Sequence, residues 1–377
     1  MKNNTNDSVK QNKKKLRKGY TTGTCAAAAS AAAVALLLGN EKLEEVTLVT
    51  PSGITLSLAV TKHRMDFSGA SCAVQKDSGD DPDITNGIFI FAKAEKISEG
   101  FLIEGGEGIG RVTQNGLEQP VGSAAINRVP REMITQQVQQ MCRHFGYEGG
   151  IQITISAPEG AELAKKTFNP RLGIEGGISI LGSSGIVEPM SEKALLDSIY
   201  LEMKMRATNG AKYLILTPGN YGQDFLKKQL KIDLAHGVKI SNFVGDALDY
   251  AVELNFSGIL LLGHIGKLVK VAGGIMQTHS SYADCRMELL GLHTVLAGGD
   301  AELLREILAC ATTEAALEKI ENAGYLHKTM GSLVEKINWH MQKRTEEKLE
   351  TAVLLFSEKK GLLGHTENII RILEKMK

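Results

Sequence analysis

The stretch Gly258-Ile-Leu-Leu-Leu-Gly-His-Ile-Gly-Lys267 begins as an unbroken apolar run and ends in glycines and two basic side chains. A strand that is apolar on both faces has no solvent side, so Gly258 to Gly263 predicts a strand of a parallel sheet covered by helices above and below. Working outward, short apolar runs of the same kind recur at Tyr213 to Thr217, Lys239 to Val244 and Ala352 to Phe356, with helical sequence between or after them. Residues 191–377 therefore read as an α/β domain with a four-stranded parallel sheet and a cofactor-binding role. Such sheets bind ligands beyond the carboxyl ends of their strands. Three strand ends here are rich in Gly and polar residues: Thr217-Pro-Gly-Asn-Tyr-Gly222, Ser241-Asn-Phe-Val-Gly-Asp246 and Leu262-Gly-His-Ile-Gly-Lys267. Thr217, Gly219, Asn220, Gly222, Gly245, Asp246, Gly263 and His264 are the resulting cofactor-binding candidates, the glycines for close approach and Asp246 as acceptor for ribose hydroxyls. Each loop taken singly reads more readily as a tight strand-to-helix turn, and it is the three together that favour a site.

Upstream of Pro189-Met-Ser191 the rhythm differs. Residues 1–16 are polar and lysine-rich, a tail with nothing to bury. Thr21, Thr22 and Thr24 can cap a helix starting near Cys25, whose alanine-rich body ends at Gly39-Asn40. Strands are expected at Val46 to Thr50, Ile54 to Val60, Cys72 to Gln75, Gly87 to Lys93, Phe101 to Glu104 and Ile151 to Ser156, with a helix at Arg131 to Phe145. Clustered strands with few helices make residues 17–190 an α+β domain. The whole chain of 377 residues fits two domains.

Lys+Arg and Asp+Glu balance at 43 each, which argues against a dedicated nucleic-acid or membrane-surface binder. Five widely spaced cysteines exclude CxxC metal or redox pairs and favour reduced thiols in the cytoplasm. The basic Lys13 to Lys18 before Cys25 to Leu38 imitates a secretory leader, but the run is mostly Ala, is interrupted by Ser30, and at 14 residues is short for a membrane span.

The densest polar group runs from His264 through Lys267, Lys270, Gln277, Thr278, His279, Ser280 and Asp284 to Arg286. Two imidazoles, a carboxylate and three cations suit a site that grips carboxylates and moves a proton. The two histidines stand 15 positions apart without a third ligand, so no protein metal site is expected. Arg111, Arg128, Arg131 and Arg171 sit in or beside Gly/Pro-rich turns, where a guanidinium either clamps an anion or ties loops through carbonyls. Gly106-Glu-Gly-Ile-Gly110 lacks the GxGxxG spacing, and Leu268 follows Gly266-Lys267 where a P-loop needs Ser or Thr.

Several strings resemble one family. They are Arg17-Lys-Gly-Tyr-Thr-Thr-Gly-Thr-Cys-Ala-Ala-Ala28, Gly79-Asp-Asp-Pro-Asp-Ile-Thr85, Gly108-Ile-Gly-Arg-Val-Thr113, Ala125-Ile-Asn127 with Pro130-Arg131, Asn169-Pro-Arg-Leu-Gly-Ile174, Gly176-Gly-Ile-Ser-Ile-Leu181, and Gly263-His-Ile-Gly-Lys267 with Thr278-His279 and Asp284. Together they are similar to the cobalt-precorrin-5B C(1)-methyltransferase family of anaerobic cobalamin (vitamin B12) biosynthesis. Ser183-Ser184 and Asn86 depart from the family's pattern.

The resemblance implies methyl transfer from S-adenosylmethionine to carbon 1 of cobalt-precorrin-5B, giving cobalt-precorrin-6A, with the cobalt carried by the substrate. It also implies an N-terminal domain similar to a circularly permuted ribosomal S5 domain 2 and a Rossmann-like C-terminal domain. On that reading the donor lies on the C-terminal glycine loops, and Arg111, Arg131, Arg171, Lys267 and Arg286 meet the macrocycle's carboxylates. His279 with Asp284 adjusts the protonation of the attacking carbon, and His264 is a further candidate for the cobalt's axial position. Alternatives are a non-catalytic corrinoid carrier and a small-molecule kinase built on the S5-like domain. A homo-oligomer and transient contact with neighbouring pathway enzymes stay open.

Overall fold

The computed structural model describes residues 16–219 and 237–376. It divides into two compact units, one ending at Ser191 and one beginning at Glu192.

The first unit is organised around one thin helix. Strand β1 (Gly19–Tyr20) leads into α1 (Thr22–Gly39), which starts three residues earlier than Cys25 because Thr21 takes the N-cap and accepts from the Thr24 N–H. Asn40, left-handed at φ 52°, closes it. By length and composition α1 could cross a membrane, but 83% of it is buried inside the protein. Its alanines let it lie close to the sheet and to α2 (Arg128–His144).

That sheet has the order β4-β5-β6-β9-β7, built from β4 (Thr61–Asp66), β5 (Gly69–Gln75), β6 (Phe89–Ile97), β7 (Phe101–Gly105) and β9 (Gly150–Ser156). A hairpin of β2 (Glu45–Val49) and β3 (Thr55–Ala59) flanks it. Strand β4 was not legible in the sequence: Thr-Lys-His-Arg-Met-Asp is an exposed edge and shows no apolar alternation. Short strands β8 (Arg111–Val112) with β10 (Ile174–Glu175), and β1 with β11 (Ile186–Val187), tie the remaining loops, beside the short helix α3 (Gly160–Ala164).

In the second unit, after α4 (Glu192–Thr208), the sheet order is β13-β12-β14-β15-β16. Strands β12 (Tyr213–Thr217), β13 (Gly237–Lys239), β14 (Gly258–His264) and β15 (Glu350–Ser357) are parallel, and β16 (Gly361–His365) adds an antiparallel edge that the sequence reading lacked. Helix α5 (Val244–Glu253) precedes β14. Helices α6 (Ile265–Ala272), α7 (Arg286–Leu296), α8 (Ala301–Leu308), α9 (Thr313–Asn322) and α10 (Leu326–Arg344) separate β14 from β15, and α11 (Ile369–Glu374) closes the chain.

Two buried clusters sandwich the sheet: Leu214, Leu216, Ile259, Leu261, Val353 and Leu355 face one side, while Ile215, Leu260, Leu262, Ala352 and Leu354 face the other. This is the two-sided burial that the apolar run at Gly258 demands. One strand is displaced from its expected place. The run Lys239 to Val244 ends its strand at Lys239, because Ser241 turns left-handed at φ 53° and Phe243 already caps α5.

Candidate functional site

In this strand order the chain leaves β12 in one direction to reach β13 and later returns to the other side of β12 at β14. Such a reversal marks the carboxyl ends of β12 and β14 as the place where open parallel sheets hold ligands. Gly219, at φ 79°, follows β12, and a Cβ there would lie 3.3 Å from Nζ of Lys267 on α6. Lys267 donates to the Ser241 carbonyl (3.2 Å) and to Oδ1 of Asn242 (2.6 Å), so one ammonium joins the exits of three strands. Burial, with Lys239 and Lys270 nearby, pulls its pKa below the ordinary lysine value.

A fourth segment joins this network. Residues 276–278 run against the Asn242–Gly245 turn: Val244 and Gly245 donate to the Met276 carbonyl, and the Thr278 N–H donates to the Asn242 carbonyl at 2.9 Å. Lys270, on the same face of α6 as Lys267, is 3% exposed and donates to the carbonyls of Thr278 (3.2 Å) and Ala283 (2.8 Å). The pair Lys267/Lys270 is thus no solvated face. Both amines hold loops, and burial lowers the Lys270 pKa as well.

The expected partnership of His279 with Asp284 is not formed. Asp284 accepts two bonds from Arg286, at 2.5 Å from Nε and 2.9 Å from Nη2, which holds its carboxyl below the usual carboxylate range. Nδ1 of His279 instead meets Ser281, 2.7 Å from its Oγ and 3.1 Å from its backbone N–H. With Nδ1 accepting, the neutral ring carries its proton on Nε2 and is set to donate there. His264 has a similar arrangement: Nδ1 accepts from the Gly266 N–H at 3.1 Å, capping α6, and Nε2 lies 3.4 Å from Oε1 of Glu314. Both ring nitrogens therefore face protein groups, and neither is directed to an outside metal.

The remaining candidates separate by what surrounds them. Thr217 is fully buried and its Oγ1 donates to the Val238 carbonyl. A Cβ at Gly245 would come 2.9 Å from Arg344 and Met276, and one at Gly263 2.9 Å from Leu268, so internal packing accounts for both glycines. Asp246 stands in the first turn of α5, close enough to Tyr250, Tyr282 and Arg344 to influence their ionisation. Asn220 and Gly222 lie outside the described residues.

In the first unit, Arg111 pairs with Glu104 at 2.9 Å and donates to the Gly105 and Gly122 carbonyls. Arg131 donates to the Ile126 and Ile103 carbonyls, with its pKa lowered by burial. Arg171 is exposed, 6.0 Å from the Phe168 ring. The Gly106–Gly110 loop is no phosphate cradle: a Cβ on Gly108 would fall 1.7 Å from the Ala157 carbonyl oxygen, so backbone already occupies that space. The loop therefore lends no support to the kinase alternative, which also drew on the S5-like domain.

Two residues of the site escaped the sequence. Asn242 was quoted within its loop but not singled out, although a polar residue beside a left-handed strand-end turn is the available signal. Glu314 lies 50 positions after His264 at the start of a helix, and only the fold brings them together.

Comparison with known proteins agrees over nearly the full length. The family models "CbiD" and "CbiD, C-terminal domain" match residues 9–189 and 277–367. The cobalt-precorrin-5B C(1)-methyltransferase of Ruminiclostridium cellulolyticum is 48% identical over 93% of this chain and 91% of that one. Its namesake from Alkaliphilus metalliredigens is 46% identical over 97% and 96%. A crystal structure of the cobalamin biosynthesis protein (cbiD) from Archaeoglobus fulgidus is 31% identical, covers 68% of this chain and 80% of its own, and gives a TM-score of 0.39. With both family models matched in order and relatives this similar across both units, the chain belongs to the CbiD family.

Proposed function

We propose that the chain is a cobalt-precorrin-5B C(1)-methyltransferase of anaerobic cobalamin biosynthesis, with S-adenosylmethionine as methyl donor and cytoplasmic action. The observation that carries the reading is the near end-to-end identity to relatives of that name, 48% and 46%. The five free thiols agree with a reducing compartment. For the second unit we read the four parallel strands with reversed order as Rossmann-like, and for the first unit the mixed sheet with α1 as similar to a permuted S5 domain 2.

The strand-end residues fit a nucleoside that carries charges of both signs. Gly219 supplies a positive-φ turn beside the Lys267 ammonium, and the same unit carries Asp246 at the α5 start and Glu314 beside His264. When bound, S-adenosylmethionine supplies an electrophilic methyl group on a sulfonium. Gly219 and His264 would line its bed, while Thr217, Gly245 and Gly263 are taken up by internal packing. The attacking atom is a ring carbon of an electron-rich macrocycle, so the protein's task is alignment and water exclusion rather than covalent catalysis. In the first unit the exposed guanidinium of Arg171 and the part-exposed one of Arg111, and in the second unit the part-exposed one of Arg286, are the candidates for acetate and propionate carboxylates, whereas Arg131 and Lys267 hold backbone carbonyls. Within the His279–Arg286 loop, His279 offers an Nε2 proton to an anionic oxygen, and Asp284 keeps Arg286 in place.

The test is single-turnover transfer of a labelled methyl from S-adenosylmethionine to cobalt-precorrin-5B by the full chain. Label in the macrocycle, with S-adenosylhomocysteine binding by calorimetry, supports the reading. A protein that binds the corrinoid but neither nucleoside is a carrier.

A further inference from the structure

Among the described residues, Glu314 holds two carboxylate oxygens that are buried and have no hydrogen-bond partner. A carboxylate taken out of water without donors is among the least favourable groups a fold can contain, and where one persists it calls for an explanation. It is not a misplaced surface acid. Thr312 caps α9 by accepting from Ala315, which fixes the first turn and points Glu314 back at the exit of β14. There His264 directs Nε2 toward Oε1, at 3.4 Å and off the line of a hydrogen bond. The two segments lie close together here: a Cβ on Gly266 would be in van der Waals contact with Oγ1 of Thr313, at 3.6 Å.

Two acceptor oxygens side by side, both lacking donors, match a group with two adjacent O–H donors. An ammonium would also donate, but here it would face the amino-terminal turns of both α6 and α9, whose partial positive charge disfavours a cation and tolerates neutral hydroxyls. The place is the carboxyl end of β14, next to the strand-order reversal, where an acidic residue accepts from ribose hydroxyls in parallel-sheet nucleotide sites. Asp246, the expected ribose acceptor, stands instead near Tyr250, Tyr282 and Arg344. We propose that Glu314 is the acceptor for the vicinal 2′,3′-diol of the donor nucleoside. The assignment rests on the nucleoside co-substrate reading above.

Calorimetry on the full chain with S-adenosylhomocysteine, adenosine and 2′-deoxyadenosine tests it, comparing wild type with Glu314→Gln, which keeps shape and removes the charge. The expected result is that Glu314→Gln binds S-adenosylhomocysteine about tenfold more weakly or worse. The wild-type preference for adenosine over 2′-deoxyadenosine should shrink to less than about threefold in the variant. Because an unpaired buried charge is lost, the variant should melt at or above the wild-type temperature, which separates weakened binding from damaged folding. Unchanged binding by Glu314→Gln, or equal weakening toward both nucleosides, overturns the proposal while leaving the methyltransferase reading in place. If the wild type binds none of the three ligands, both fall.

Discussion

Nζ of Lys267 and Oδ1 of Asn242 meet at 2.6 Å across the gap between the exits of two parallel strands. The same oxygen receives Oγ1 of Thr278 at 3.4 Å, so a single amide couples the β13 turn, α6 and the segment leading to His279. Removing it leaves a half-buried ammonium short of an acceptor. Asn242→Ala should cost about 1–3 kcal/mol in urea unfolding, and Asn242→Asp, which keeps the acceptor, should cost less.

Lys270 fixes the other end of that segment through the Thr278 and Ala283 carbonyls. Lys270→Met preserves the apolar stem and deletes both bonds. Hydrogen exchange should become faster at the amides of residues 278–285, while protection in β12 and β14 stays at its wild-type level.

The loop's ion pairing predicts a specific pattern of coupling. A double-mutant cycle on Asp284 and Arg286 should give about 0.5–1 kcal/mol, as for a part-exposed bidentate pair. The cycle on His279 and Asp284 should give a coupling within about 0.3 kcal/mol of zero. A large coupling in the second cycle would mean that the dyad forms in solution after all.

Burial pushes the thiols of Cys25 and Cys72 up to about 12. In the unfolded chain a thiol ionises near pH 8.5–9, so above that pH the unfolded state binds fewer protons and stability falls as pH rises. The stability is complete below about pH 8.5 and declines by up to about 1.4 kcal/mol per pH unit per thiol as pH approaches the folded values. Urea midpoints measured from pH 8 to 10.5 should show this decline, and Cys25→Ala should make it shallower. Exposed Cys285 should react with thiol reagents well before either.

Glycines 100 and 108 both have positive φ, at 79° and 72°, but only the second is crowded. Gly100→Ala should cost about 1–2 kcal/mol, the left-handed penalty alone. Gly108→Ala must also displace the Ala157 carbonyl and should cost at least about 3 kcal/mol by thermal unfolding.

The parallel sheet of the second unit was readable because Leu260, Leu261 and Leu262 in succession can be satisfied only by burial on both faces. Strand β4 and the antiparallel β16 were not, since an edge strand needs apolar residues on neither face or on one. Glycine and polar content singled out the strand exits as the candidate site. Its wiring was not legible: the backbone carbonyls that hold Lys267, Lys270, Arg111 and Arg131 leave no mark in side-chain identity. Asp284 illustrates the limit, because Arg286 two positions away was a closer partner than the histidine five positions upstream.

Helix α1 brings the centre of the first unit a further property. A row of methyl groups has no χ angles to sample, so Ala26 to Ala29 and Ala31 to Ala33 surrender no rotamer entropy on folding and retain no rotameric slack afterwards. A shift there can be relieved only by the side chains clustered with them, such as Ile90, Ile134 and Ile153. Over this stretch the adaptability of the unit's interior lies in its strands and in α2, with none on the helix surface.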